Sequence, residues 1–394
     1  MTDTEALFTP LAIGGVTIKN RVVMGPMALL DAHPPGYASE QTRAAYAARA
    51  AGGVGLIVTG GTVATRWAWE SAPFAPVMRF DTPETLPSLS ELTETVHRHD
   101  VKIFAQLMQG YGRGGSSRMR GVQSVAASAV PLVAQKGFGI EGYTDPYVGE
   151  TPRALPVAEI REIEAAMGVA ARHAVRAGFD GVEIPCFVGY LAAGFFSPLL
   201  NRREDEYGGS FDNRCRFIIN NVRSVRAAIG PDIPVGVRLT CSDHVPGGIE
   251  LEEALQLAQR LESEGVDYLS LFMGSYEVME IAASQRDNLF EDHGYAQAFK
   301  AAVKIPIMVP GMHDPRNAAR AVAAGHVDFA VVTRPLLADP EWANKARRGE
   351  VESITPCDRS NFCVTRLLGG LPVRCHRNPR MGWERDGVRA GGPV

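Results

Sequence analysis

Residues 179–214 read FDGVEIPCFVGYLAAGFFSPLLNRREDEYGGSFDNR, and this stretch decides how the rest of the chain is read. Residues 181–184 form a short apolar run of the kind that makes a buried strand. A Gly189-Tyr190-Leu191 loop follows, and then Asn201, Arg203, Asp205, Tyr207, Gly208, Gly209, Asn213 and Arg214 stand at fixed offsets. Seven further runs resemble the first: 21–24, 55–59, 102–106, 235–239, 268–272, 305–309 and 329–333. Helical patterns follow them, for instance at 41–51, 158–177, 250–264 and 315–324. Eight strand-then-helix units predict an α/β fold, a (β/α)8 TIM barrel, with chemistry at the C-terminal ends of the strands.

The flanks fit that expectation. LAIGGVTIKN at 11–20 reads as an N-terminal β-hairpin capping the barrel floor. The Gly/Ser-rich stretch 110–145 reads as a loop or an insertion after the third strand, placed as a lid. The barrel is expected to fill residues 1–350, and 351–394 form a cysteine-containing tail. The 394 residues are 45% hydrophobic and 21% charged with net charge −4, so no basic field favours nucleic acid or an anionic membrane surface. No apolar run reaches the roughly 18 residues of a membrane span. Six cysteines do not suggest a secreted disulfide scaffold, and MTDTEALFTP has no leader character, so a cytoplasmic protein is expected.

The signature from Gly189 to Arg214 resembles that of the Old Yellow Enzyme family, the NADH:flavin oxidoreductases. The resemblance covers nearly the whole chain and is nearest to the 2,4-dienoyl-CoA reductase and trimethylamine dehydrogenase branch. It implies FMN as cofactor, NAD(P)H as reductant and a small-molecule substrate. Gln106 matches the glutamine that hydrogen-bonds the pyrimidine half of the flavin, and Arg238 the arginine near its N1–C2 edge. Pro26, Met27 and Ala28 close the first strand against the ring; the family often has threonine or cysteine in place of Ala28. Gly60 matches a close-approach glycine. Gly311, Met312, Thr333 and Arg334, after strands seven and eight, match the phosphate cradle, with Thr333 where glycine is usual.

On the substrate side, Tyr190 matches the proton donor of an ene-reductase, in which the flavin passes hydride to an activated C=C bond. Pro185 and Val188 stand where the family has an imidazole pair, or an imidazole and an amide, for the substrate carbonyl, so an atypical substrate is expected. Tyr276 falls near the second acid of the dienoyl-CoA reductase branch, and His293 and Tyr295 follow. Trp67 and Trp69 read either as an aromatic wall for a cation or as surface-loop packing. Cys357, Cys363 and Cys375 match three ligands of the branch's [4Fe–4S] segment, with Ser360 at the second position; a hard hydroxyl replacing a thiolate argues against a full cluster. No GxGxxG follows the tail, so the branch's FAD- and NAD-binding domains are either lost or carried by a separate reductase or electron-transfer subunit. A homo-oligomer is expected. Two other readings stay open: an amine dehydrogenase or N-demethylase of the trimethylamine dehydrogenase type, and a non-catalytic flavin-binding protein.

Overall fold

Eight parallel strands close on themselves in the computed structural model, which describes residues 3–386 apart from 139, 141 and 285. They are β1 (Val22–Met24), β2 (Leu56–Thr59), β3 (Lys102–Gln106), β4 (Gly181–Cys186), β5 (Val235–Thr240), β6 (Tyr268–Phe272), β7 (Ile307–Pro310) and β8 (Phe329–Val331). Each pairs with the next, and β8 returns to β1. The main helices after them are α1 (Glu40–Ala51), α2 (Leu86–His97), α3 (Val157–Arg176), α4 (Phe211–Ile229), α5 (Leu251–Ser263), α6 (Tyr295–Ala302), α7 (Pro315–Ala323) and α8 (Thr333–Ala338). The expected TIM barrel is the observed one.

Small boundary differences have local causes. Strand β7 starts at Ile307 because Pro306 brings no N–H to the ladder, and β8 stops at Val331 because Thr333 already opens α8. Strand β4 runs on through Pro185. That proline lies beyond the last pair with β3, Glu183 with Gln106, so the donor it lacks has no ladder partner to satisfy.

The barrel interior is built in layers. The hairpin Leu11–Ile13/Val16–Ile18 sends Ile13 and Ile18 up against Val23, Leu56, Val58, Phe104, Tyr268, Met308 and Phe329, and seals the floor. Gly181 and Gly236 make room for the two rings of that layer. A Cβ on Gly181 would stand 2.8 Å from the Phe104 ring, and one on Gly236 2.1 Å from the Tyr268 ring. Two residues further along the same strands, the two-residue period of a strand turns Gln106, Glu183, Arg238 and Ser270 inward. The layer at the C-terminal mouth is therefore polar, over an apolar plug.

Of the two expected forms of segment 110–145, its described residues take the insertion. It contains the strand Val125–Ala126, paired with Arg153–Ala154, and the strand Val133–Phe138, paired with Tyr147–Val148. The tail is tied back onto the barrel by a buried Arg49–Glu384 ion pair and by Arg374 against Asp31 at 3.4 Å. Among the described residues no helix is long and apolar enough to cross a membrane.

Candidate functional site

At the mouth of the barrel a buried carboxylate organises its neighbours. Gln106 Nε2 donates to Glu183 Oε1 at 2.8 Å, and the Tyr268 hydroxyl donates to Glu183 Oε2 at 3.3 Å. Burial pushes the Glu183 carboxyl above its usual range, and the nearby Arg238 charge pulls it back. Burial in turn pulls Arg238 below the usual guanidinium range, opposed chiefly by Glu183. Arg238 Nη1 donates to Ser270 Oγ at 3.2 Å, its Cζ lies 4.9 Å from the Phe187 ring centre and 5.3 Å from that of Phe272, and its buried Nε has no partner. Glu183 is a site residue that the sequence reading passed over. Its signal was a single acid at an inward position of an apolar strand.

Above this layer stands a group of aromatic rings. Tyr190, at the start of Leu191–Phe196, contacts Phe187 (centroids 5.1 Å), Tyr111 (5.5 Å) and Tyr276 (6.0 Å). The Tyr276 hydroxyl donates to the Tyr190 oxygen at 3.1 Å, which leaves the Tyr190 proton free to be given elsewhere. Burial raises the Tyr190 pKa, while the Tyr276 hydrogen bond and the Arg238 charge lower it. Pro185 and Val188 are buried at the end of β4, and the Pro185 carbonyl accepts from Gln109 Nε2 at 3.1 Å.

Val188 carries a left-handed backbone, φ 57°, with its N–H donating to Thr240 Oγ1 at 3.3 Å. A β-branched residue is strained there by about 1–2 kcal/mol, whereas asparagine adopts that conformation readily. Val188→Asn should therefore cost less than about 1 kcal/mol in a denaturant titration, although a polar group placed in a core usually costs about 1–3 kcal/mol. A loss of about 1–3 kcal/mol or more, the ordinary cost with no strain relieved, would remove strain as the explanation.

A cavity of about 180 Å³ opens between the loops after β6, β7 and β8, and Pro26, Met27, Arg238, Gly311, Met312, Thr333 and Arg334 are among its lining residues. Gly311 has φ 89°, and nothing lies within 4 Å of where its Cβ would be. His313 is held neutral, with its pKa pulled down to about 3 by burial and by the charges of Arg334 and Arg359. Arg334 Nη2 stands 3.4 Å from His313 Nε2, so that nitrogen accepts and the proton sits on Nδ1, a buried donor with no partner. Arg334 also donates to Asn361 Oδ1 at 2.6 Å and to Ser284 O at 2.5 Å, pinning the tail to the β6 loop. His313 was not singled out from the sequence.

Several expected site residues are placed differently. Trp69 already carries two cations of its own chain: Arg120 and Arg79 lie over its ring at 3.7 and 4.3 Å from the centroid. Trp67 donates to Glu159 and stacks with Arg66. His293 is exposed and sits with His244 and Tyr295, at 5.3 Å from each, outside the Tyr190 ring group. Gly60 makes its close approach to a neighbouring strand end, where a Cβ would stand 2.3 Å from Met27 N. Ala28 is buried within the cluster that holds Tyr111. In the tail Cys363 is buried, Cys357 and Cys375 are partly so, and Ser360 Oγ donates to Asp358 at 2.8 Å. Among the described residues no group of three or more His, Cys, Asp or Glu side chains is arranged to hold a metal.

A profile described as the NADH:flavin oxidoreductase / NADH oxidase family matches residues 6–352. The chain belongs to that family, the Old Yellow Enzymes. An NADPH dehydrogenase of Geobacillus sp. is 32% identical over 344 residues, which cover 87% of this chain and 94% of that protein. An NADH oxidase of Thermoanaerobacter brockii is 36% identical over 395 residues, 98% of this chain but 58% of the relative. The structure of a 2-naphthoyl-CoA reductase in complex with 2-naphthoyl-CoA superposes with TM-score 0.86 at 29% identity, covering 98% of this chain and 58% of that one. The chain thus spans about three fifths of these two longer relatives. Membership puts it among FMN-dependent oxidoreductases. Its residues fit the cofactor: Gln106 and the unpartnered Arg238 Nε face the mouth of the barrel, and Gly311, His313 Nδ1 and Arg334 surround the cavity between the β7 and β8 loops.

Proposed function

We propose that this barrel reduces an activated C=C bond with electrons from NAD(P)H. FMN, when bound, supplies the hydride-carrying chemistry. Gln106 and Arg238 would hold its pyrimidine edge, with Arg238 favouring negative charge there. Gly311, Met312, Thr333, Arg334 and His313 would take the phosphate, and Pro26, Met27 and Ala28 would lie along the ring. Tyr190 would protonate the substrate carbon opposite the one that receives hydride. Tyr276 would keep the Tyr190 proton directed at the substrate and refill it afterwards.

The observation that carries this reading is the Tyr276-to-Tyr190 hydrogen bond, in a ring cluster over the Gln106–Glu183–Arg238 layer. Against the amine dehydrogenase reading, which the spacing of the cysteine tail motivates, stands the observation that aromatic rings near the site already carry Arg79, Arg120 and Arg238. The test is anaerobic spectroscopy of the FMN-loaded protein. NAD(P)H should bleach the flavin absorbance, and an electron-poor alkene should restore it. Bleaching by an N-methylated amine without NAD(P)H would overturn the proposal.

A further inference from the structure

Asn361 opens the short tail helix Phe362–Leu368 from a left-handed backbone, φ 61°. An asparagine at the start of a helix ordinarily turns its side chain onto the first N–H groups of that helix. Here the amide makes no such bond. It is buried, and both its ends are used on the barrel: Oδ1 accepts from Arg334 Nη1 at 2.6 Å, and Nδ2 donates to Ala283 O at 2.8 Å. The helix forgoes its own cap while the amide holds an arginine just after β8. A second tail residue reaches the loop after β7. Arg359, also left-handed at φ 60°, lies 3.9 Å from Asp287, and Asp287 accepts from the His313 N–H at 2.7 Å.

The five N–H groups of Arg334 can be followed one by one. The Nη1 pair goes to Asn361 and to Ala283 O at 3.3 Å, and the Nη2 pair to Ser284 O and His313 Nε2. The side chain keeps its charge and its Nε–H for a ligand, in a position set by those bonds. Asn361 also holds Ala283 O, so one amide fixes both the guanidinium and a carbonyl that the guanidinium uses. Arg334 lines the cavity of about 180 Å³, as does Val364 of the tail helix, whereas Asn361 stands behind them and does not.

We infer that Asn361 is a positioning residue for the flavin: acting through Arg334, it sets the charge that recognises the FMN phosphate. This rests on the reading of that cavity as the phosphate end of the site. Without the amide, Arg334 Nη1 and Ala283 O each lose a partner, and a loosened guanidinium must be ordered again at every binding event. The cost falls on ligands that carry a phosphate. Gln106 and Arg238, assigned to the ring, are not touched by the change.

The test is fluorescence titration of the full chain, freed of flavin, with FMN and with riboflavin. The unaltered protein should prefer FMN at least about a hundredfold, as expected of two charge-assisted hydrogen bonds. Asn361→Gly, which retains the left-handed backbone, should weaken FMN about tenfold and leave riboflavin within about threefold. Asn361→Asp keeps an acceptor for Arg334 but pairs its charge, and should also weaken FMN by at least about tenfold. In an Arg334→Met background, Asn361→Gly should change FMN affinity by less than about twofold. Riboflavin bound as tightly as FMN by the unaltered protein contradicts the phosphate reading of the cavity and takes the inference with it. An FMN preference that survives either Asn361 variant overturns the inference alone. So does an equal loss of both flavins in both variants, the mark of a purely structural role, or an undiminished effect of Asn361→Gly beside Arg334→Met.

Discussion

Arg238→Leu protein should lose FMN affinity by at least about a hundredfold, because a buried guanidinium contributes about 1.5–3 kcal/mol per charge-assisted hydrogen bond and opposes the charge of the reduced ring. Fluorescence titration with FMN measures this. The same substitution should also lower stability, since Glu183 would remain buried without the cation that pulls its pKa down. The carboxyl would then take up a proton, which limits the loss to about 2–3 kcal/mol. Adding Glu183→Leu should recover part of that stability and none of the FMN affinity. Independent, additive losses in the double variant would show that the two groups do not work as a unit.

Tyr190→Phe should separate the two halves of the reaction. Reoxidation of the reduced protein by an alkene should slow by about 10²–10⁴, the usual contribution of a positioned general acid, while bleaching by NAD(P)H stays within about threefold. Stopped-flow absorbance reads both rates on one sample. Tyr276→Phe should cost less, about tenfold, because the phenol it supports remains in place. If Tyr190→Phe slowed bleaching and reoxidation equally, Tyr190 would be shaping the pocket and not delivering the proton.

The barrel was legible because its strands are apolar runs rich in β-branched residues and its helices follow them in strict alternation. Pro306 and Thr333 moved two boundaries by a turn chemistry that acts over one or two residues. Gln106 and Arg238 stood out as polar residues at strand ends, which the fold turns inward. Glu183 was equally inward-facing but hidden inside a run read as apolar. Tyr111, Arg120 and His313 lie in loops after strands, where spacing says nothing about which side chains meet. Trp69 was misleading for the same reason: the two guanidiniums on its ring come from residues 10 and 51 positions further along the chain, at Arg79 and Arg120. His293 resembled a site residue by its place after β6, but the local chain keeps it exposed with His244 and Tyr295.

The polar layer at the barrel mouth is the element from which all these expectations derive, and flavin stoichiometry tests it most directly. The purified protein, supplied with FMN and freed of excess, should release close to one FMN per chain on denaturation and show the flavin absorbance bands beforehand. A folded protein that stays colourless and retains no FMN would contradict the account at its base.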